Sequence, residues 1–118
     1  MPPLAPFSPR VGTEDEIRNV LEQFKRAFES KDLVMVQRLR PGMRPEELRS
    51  LGETFRNARS YRLDLRVETL KIAGDEAQAR TLKRDVMTAN DGQIHQSETT
   101  VTVVLRRQGG SWTISDIK

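Results

Sequence analysis

The sequence contains no cysteine. Disulfide frameworks, thiolate metal sites and cysteine nucleophiles are therefore excluded, and the usual redox clue to compartment is missing. His95 is the only histidine, which rules out multi-histidine metal centres and disfavours histidine-rich catalysis. One tryptophan and one tyrosine stand beside four phenylalanines, too few aromatics for a base-stacking platform. No apolar run reaches membrane-spanning length, and no stretch reads as a signal peptide. Beyond the start of the chain there is no low-complexity segment and no internal repeat.

What is present fits one domain: 118 residues can bury one modest core. Charged residues make up 31% of the chain, but the 36% that are hydrophobic are patterned, which argues against wholesale disorder. The net charge of +3 hides a basic middle, because residues 37–71 carry nine Lys and Arg against five Asp and Glu. Nucleic-acid binding is the tempting reading of Arg38, Arg40, Arg44, Arg49, Arg56, Arg59, Arg62 and Arg66. Acids interleave with them and only Phe55 and Tyr61 could stack on bases, so solvated faces with local ion pairs are preferred and nucleic acid is not expected as a partner.

Residues 1–12, MPPLAPFSPRVG, hold four of the six prolines and read as an extended tether, with a flexible linker to a larger protein and a disordered N-terminus as equal readings, leaving 13–118 as the folded domain. Thr13 and Glu16 have the spacing of a capping box, and Ile17, Val20, Leu21, Phe24 and Phe28 recur at helical spacing, which predicts a helix from about residue 14 to 30. Asp32 is the expected N-cap of a short helix through Leu33, Val36 and Leu39, stopped by Pro41 and Gly42. Pro45 opens a third helix with Leu48, Leu51 and Phe55 on its apolar side, ending near Ala58. Gly52 lies inside it and points to a close approach of another element.

After residue 60 the period changes to two. Tyr61, Leu63, Leu65 and Val67 alternate with Arg62, Asp64, Arg66 and Glu68, as in a half-buried antiparallel strand. Gly74-Asp75, Asp91-Gly92 and Gly109-Gly110 read as turns between this strand and three more, at 77–88, 94–107 and 111–117. If each turn holds two residues, Ala73 faces Glu76, Asn90 faces Gln93 and Gln108 faces Ser111. One face of the sheet then gathers Leu63, Val67, Leu82, Val86, Val101, Val103, Leu105, Trp112 and Ile114 under the helices.

That register puts Arg84 on the apolar face, in a row with Leu65 and Thr99. Tyr61, Thr88 and His95 lie toward the same end, and Asp116 shares the face. A small ligand pocket follows, with Arg84 as anion anchor and Tyr61, Thr99, His95 and Asp116 as its partners. The alternative ranks ahead of it: Arg84 reaches the rim, or pairs with Asp116 only to fix geometry. On the opposite face Asp64, Asp85 and Glu98 fall side by side. A hard-cation site is one reading of that row, but Arg62, Arg66 and Lys83 lie diagonal to it, so a charged checkerboard is preferred and no metal is expected.

The segments EIRNVLEQFKRAFESKDL (16–33), GDEAQA (74–79) and VTVVLRRQGGSWTISDI (101–117) resemble the nuclear-transport-factor-2-like (NTF2-like) superfamily. The resemblance spans roughly residues 14–117. It implies an α+β cone, with three N-terminal helices packed on one face of a curved four-stranded antiparallel sheet. Enzymatic members of that superfamily include ketosteroid isomerases, scytalone dehydratase and polyketide cyclases, and the association domain of calmodulin-dependent kinase shares the fold. The hairpin that enzymatic members carry between early helices is missing here. The chain therefore resembles the shortened modules joined by a linker to larger bacterial proteins. No motif carries the family's catalytic residues onto this sequence.

The expected function is thus a non-catalytic binding or association module, homodimeric and without a cofactor, taking a small anionic or apolar ligand. The alternative is a small-molecule lyase, isomerase or cyclase acting through Asp116, His95 and Tyr61.

Overall fold

The computed structural model describes residues 8–118. Helix α1 spans Ser8–Glu29, α2 Leu33–Leu39 and α3 Pro45–Asn57; strands β1 Ala58–Ala73, β2 Glu76–Ala89, β3 Ile94–Gln108 and β4 Ser111–Ile117 follow. The strands form one antiparallel meander in the order β1-β2-β3-β4. The expected α+β architecture is therefore the observed one. Among the described residues no helix is long and apolar enough to cross a membrane.

The first helix begins earlier than its sequence signals imply. It opens at Ser8, with Pro9 in its first turn, where the missing N–H has no helical partner to lose. Residues 8–12 of the expected linker are thus helical, and Thr13 lies within the helix rather than capping it. Residues 1–7 of the expected linker lie outside the described residues. The apolar stripe is as the spacing predicts: Ile17, Val20, Leu21, Phe24, Ala27 and Phe28 are all buried.

Helix α1 stops at a Schellman-type turn. Lys31 takes a left-handed φ of 55°, the Asp32 N–H donates to the Ala27 carbonyl (2.8 Å) and the Lys31 N–H to the Phe28 carbonyl (3.0 Å). The left-handed region costs a non-glycine residue roughly 1–2 kcal/mol. An offsetting contact comes from the Lys31 ammonium, which donates to the Ala58 carbonyl at 2.8 Å and so ties the end of α1 to the start of the sheet.

The two short helices follow their local chemistry. Asp32 caps α2 by accepting from the Met35 N–H at 3.1 Å. At the start of α3, Glu47 accepts from the Arg44 N–H at 3.0 Å, a bond that holds its carboxyl below the usual range. Gly52 does mark a close approach: a β-carbon there would stand 3.4 Å from Leu33 Cδ2 of α2.

The sheet register departs from the expected one by single residues at four places, one of them an irregularity between Ala58 and Ser60 at the start of β1. Between β1 and β2 the Gly74-Asp75 turn pairs Ala73 with Glu76 as expected, but a bulge at Glu68 shifts all earlier pairs, so that Val67 faces Thr81 and Leu63 faces Asp85. The second hairpin closes on three residues, not two: the Ala89 N–H donates to the Gln93 carbonyl across Asn90, Asp91 and Gly92. Gly92 takes φ 91°, the left-handed residue that ends this loop type. Between β3 and β4, two positive-φ glycines, Gly109 and Gly110, pair Gln108 with Ser111 as expected, and a bulge near Ser115 shifts the rest.

The core face is corrected accordingly. Leu63, Ala77, Ala79, Thr81, Val103, Leu105, Trp112 and Ile114 are buried beneath the helices. Leu82 and Val86 belong to the opposite face, because their strand neighbours Thr81 and Asp85 point inward. Trp112 is 4% exposed, with the Arg107 guanidinium 5.6 Å from its ring and held by Asp75 at 2.8 Å.

Candidate functional site

The same shift brings an ionic cluster into the interior. Lys83 and Asp85 are two apart on β2, so both project to the helix side. The Tyr61 hydroxyl of β1 donates to Asp85 Oδ2, and the Lys83 ammonium donates to Asp85 Oδ1 at 2.7 Å. The carboxylate side chain is 13% exposed and the ammonium 24%, and a buried carboxylate needs such partners to remain charged.

Aromatic packing fixes the phenol. Phe28 of α1 lies 5.4 Å from the Tyr61 ring, and Phe55 of α3 meets it edge-on at 6.1 Å. Burial pushes the Tyr61 hydroxyl well above its ordinary value of 10.0, and the bond to Asp85 adds to the effect. Tyr61 is thus a neutral donor at any physiological pH.

Beside this cluster a cleft of about 550 Å³ opens between α1, α3 and the end of β4. Phe24, Phe28 and Leu51 form its apolar wall, and Lys83 and Arg40 bring positive charge to it. Arg40 Nη2 stands 3.8 Å from both Glu47 and Asp116, at the outer limit of ion pairing. Glu46 and Glu47 line the cleft from α3 and face Arg44 at 3.9 and 3.5 Å.

The five residues expected to form the pocket are not one constellation. Tyr61 is half-buried, packed against the core beside Asp85. Asp116 is half exposed, and its Oδ1 accepts from the Ile117 N–H at 2.8 Å while facing Arg40. Thr99 and His95 lie opposite Lys83 and Met87, on the helix side of the sheet, but both are exposed. His95 and the β3 partner of Asp116, Val104, are nine residues apart, about 30 Å along the strand, so a histidine–aspartate pair is not assembled.

Arg84 is a correction: it is exposed on the outer face, where its strand partners are Asp64 and Glu98. The expected row of three carboxylates is replaced there by carboxylate, guanidinium, carboxylate, since Asp85 has gone inside. Among the described residues no group of three His, Cys, Asp or Glu could hold a metal ion.

The sequence reading missed Lys83, Asp85 and Arg40. A signal for the first two was present. Apolar residues on β1 occupy odd positions through Val67 and even ones at Leu70 and Ile72, a phase jump that marks the bulge.

Three helices over a curved antiparallel meander, with a polar cluster and a cleft between the layers, define an NTF2-like α+β cone. More narrowly, residues 17–118 match the SnoaL-like domain, and the chain belongs to that family. Solved structures of the same fold include a conserved protein from Planctomyces limnophilus, 18% identical over 90% of this chain and 93% of that one, with a TM-score of 0.81. A dehydratase candidate of the NTF2-like family from Streptomyces avermitilis is 16% identical over 87% of this chain and 92% of its own, with a TM-score of 0.73. An NTF2-like superfamily protein from Salmonella enterica is 14% identical over 92% and 89%, with a TM-score of 0.75. No curated protein matches the sequence.

Proposed function

We propose that the domain is a binding module for a small anionic molecule with an apolar body, held in the cleft between α1, α3 and the sheet. The observation that carries this reading is the meeting of Lys83 and Arg40 with the Phe24, Phe28 and Leu51 wall in one cleft. An ammonium has three hydrogens to donate, and Lys83 gives one to Asp85. Among the described residues the Arg40 guanidinium is engaged only by two long ion pairs, which a bound carboxylate or phosphate at hydrogen-bond distance would outcompete. The apolar wall supplies the rest of the affinity through burial.

Asp85 supports a non-catalytic role. Each of its oxygens already accepts from a donor, so the carboxylate is committed to holding Lys83 and Tyr61 in place. Joining such a module to a larger protein through the proline-rich start belongs to the same reading.

One observation favours an enzyme instead. A phenol and a carboxylate sit together inside the cone, and a neighbour of this fold carries the description of a dehydratase. In that case substrate would displace a donor from Asp85, which would then act as base in a lyase, isomerase or cyclase reaction.

Titration calorimetry with decanoate and with decanol, its neutral counterpart, tests the proposal. Decanoate is expected to bind at least tenfold more tightly than decanol, with Lys83→Met and Arg40→Met each removing most of the difference. Equal binding of the two, or binding of neither, would overturn it. Asp85→Asn separates the readings, since it should preserve or tighten decanoate binding in a binding module, by releasing Lys83 to the ligand.

A further inference from the structure

A second cleft, of about 360 Å³, lies between α1, the end of α2 and the start of β4. That volume is within the range of small-molecule sites. It shares no lining residue with the cleft at Lys83. Its apolar lining is Val20, Leu39 and Trp112, all buried. The Trp112 indole N–H is sealed from solvent and, among the described residues, has no hydrogen-bond partner. A buried donor without an acceptor is costly, and in a folded protein it calls for an explanation.

The two walls of this cleft differ in chemistry. Glu16, Asn19 and Gln23 follow one another at three- and four-residue spacing along one face of α1 and form one wall. A carboxylate and two amide oxygens accept hydrogen bonds, as an ammonium group requires. The other wall donates. Arg38, in the last turn of α2, brings a guanidinium, and Trp112 brings its indole N–H. The Trp112 backbone N–H turns to the open edge of β4 as well. Its ladder partner Arg107 bonds to Asp75 on the β2 side, so this pair exchanges no bonds and Trp112 directs its own away from β3. Among the described residues, the side chains of Glu16, Asn19, Gln23 and Arg38 are exposed and make no hydrogen bond or ion pair.

We propose that this cleft binds a zwitterionic α-amino acid with an apolar side chain. Its ammonium group lies against Glu16 and the amides of α1, its carboxylate against Arg38 and the N–H groups of Trp112, and its side chain on Val20 and Leu39. Hydrogen bonds to charged groups are stronger than neutral ones, and the carboxylate gives the indole the acceptor it lacks. The indole is reached only when the wall opens, and the unbonded side chains of α1 leave the wall free to do so. A molecule with one charge matches one wall and opposes the other: a carboxylate alone faces Glu16, and an ammonium alone faces Arg38. The site is thereby distinguished from a general anion site. This inference does not depend on the Lys83 cleft binding a ligand.

The single tryptophan gives the site its own probe, the indole N–H peak in the proton–nitrogen correlation spectrum of the labelled full chain. L-leucine is titrated beside isocaproate, which lacks the ammonium group, and leucinamide, which lacks the carboxylate. Leucine is expected to move the peak at concentrations about tenfold or more below those the other two need. Glu16→Gln should weaken leucine binding about fivefold and leave isocaproate unchanged or tighter, and Arg38→Gln should weaken leucine likewise while sparing leucinamide. Both side chains are exposed, so both variants should keep the fold, with circular dichroism as the check. A peak that leucine does not move at its solubility limit would overturn the proposal. So would equal midpoints for the three ligands, or a leucine midpoint that neither substitution changes. A shift abolished by Lys83→Met would overturn it too, because the ligand would then sit in the other cleft.

Discussion

Tyr61 is a phenol held among two phenylalanine rings with a carboxylate as its acceptor. Its ionisation is harder in the folded chain than in the unfolded one, so the sign of its effect on stability is fixed. The contribution is complete below pH 10.0, the ordinary tyrosine value, and is lost as pH rises toward the higher folded value. Tyr61→Phe should therefore flatten the alkaline limb: urea midpoints measured above about pH 10 should fall more steeply in the wild type than in the variant. At neutral pH the same substitution leaves Asp85 Oδ2 without its phenol donor and should cost about 1–3 kcal/mol. A variant as stable as the wild type at pH 7 would mean that water reaches Asp85 in place of the phenol. Asp85 was invisible as an interior residue in the sequence because its position depends on a ladder shift that begins seventeen positions earlier, at Glu68.

At the level of elements, the helices were legible and the sheet register was not, for one physical reason. A helix bonds to itself, so Asp32, Pro45 and the 3.6-residue spacing act locally and can be read locally. A strand takes its register from its neighbour, and a one-residue event anywhere along the ladder flips every later side chain. Glu68 is such an event, the third residue in the Asn90-Asp91-Gly92 loop is another, and the bulge near Ser115 is a third. Each left a trace, as in the step from Trp112 and Ile114 to Ile117 on β4. The bulge at Glu68 makes a testable contrast. Deleting Glu68 removes the extra residue and preserves the inward direction of Leu63. Deleting Asp64 turns Leu63 outward instead. Denaturant unfolding of the two deletion variants should find the Asp64 deletion less stable by at least about 2–3 kcal/mol, the burial of one leucine, because Tyr61 turns outward with Leu63. Equal losses would mean that the bulge, and the curvature it imparts, matters as much as the facing of the side chains.

Across the whole molecule, the family-level resemblance carried by segments 16–33 and 101–117 was sound, because it rests on element order and apolar spacing that survive single-residue slips. The cleft could not be read the same way, since Arg40 just beyond α2, Leu51 on α3 and Lys83 on β2 share it only once the layers close. The meander itself has a kinetic consequence. Every strand pairs with its neighbour in sequence, so the sheet can grow hairpin by hairpin, while the contacts that bring helices onto it span long stretches of chain; the Leu63 N–H, for example, reaches Glu29 across 34 positions. Short loops close at lower entropic cost than long ones. Folding should therefore proceed through a transition state rich in sheet and poor in helix docking. Leu105→Ala is expected to slow refolding, whereas Ile17→Ala should chiefly accelerate unfolding. The sole tryptophan, Trp112, lies one turn away from Leu105 in the final hairpin, so stopped-flow fluorescence would watch the early event directly, with no label added to the chain.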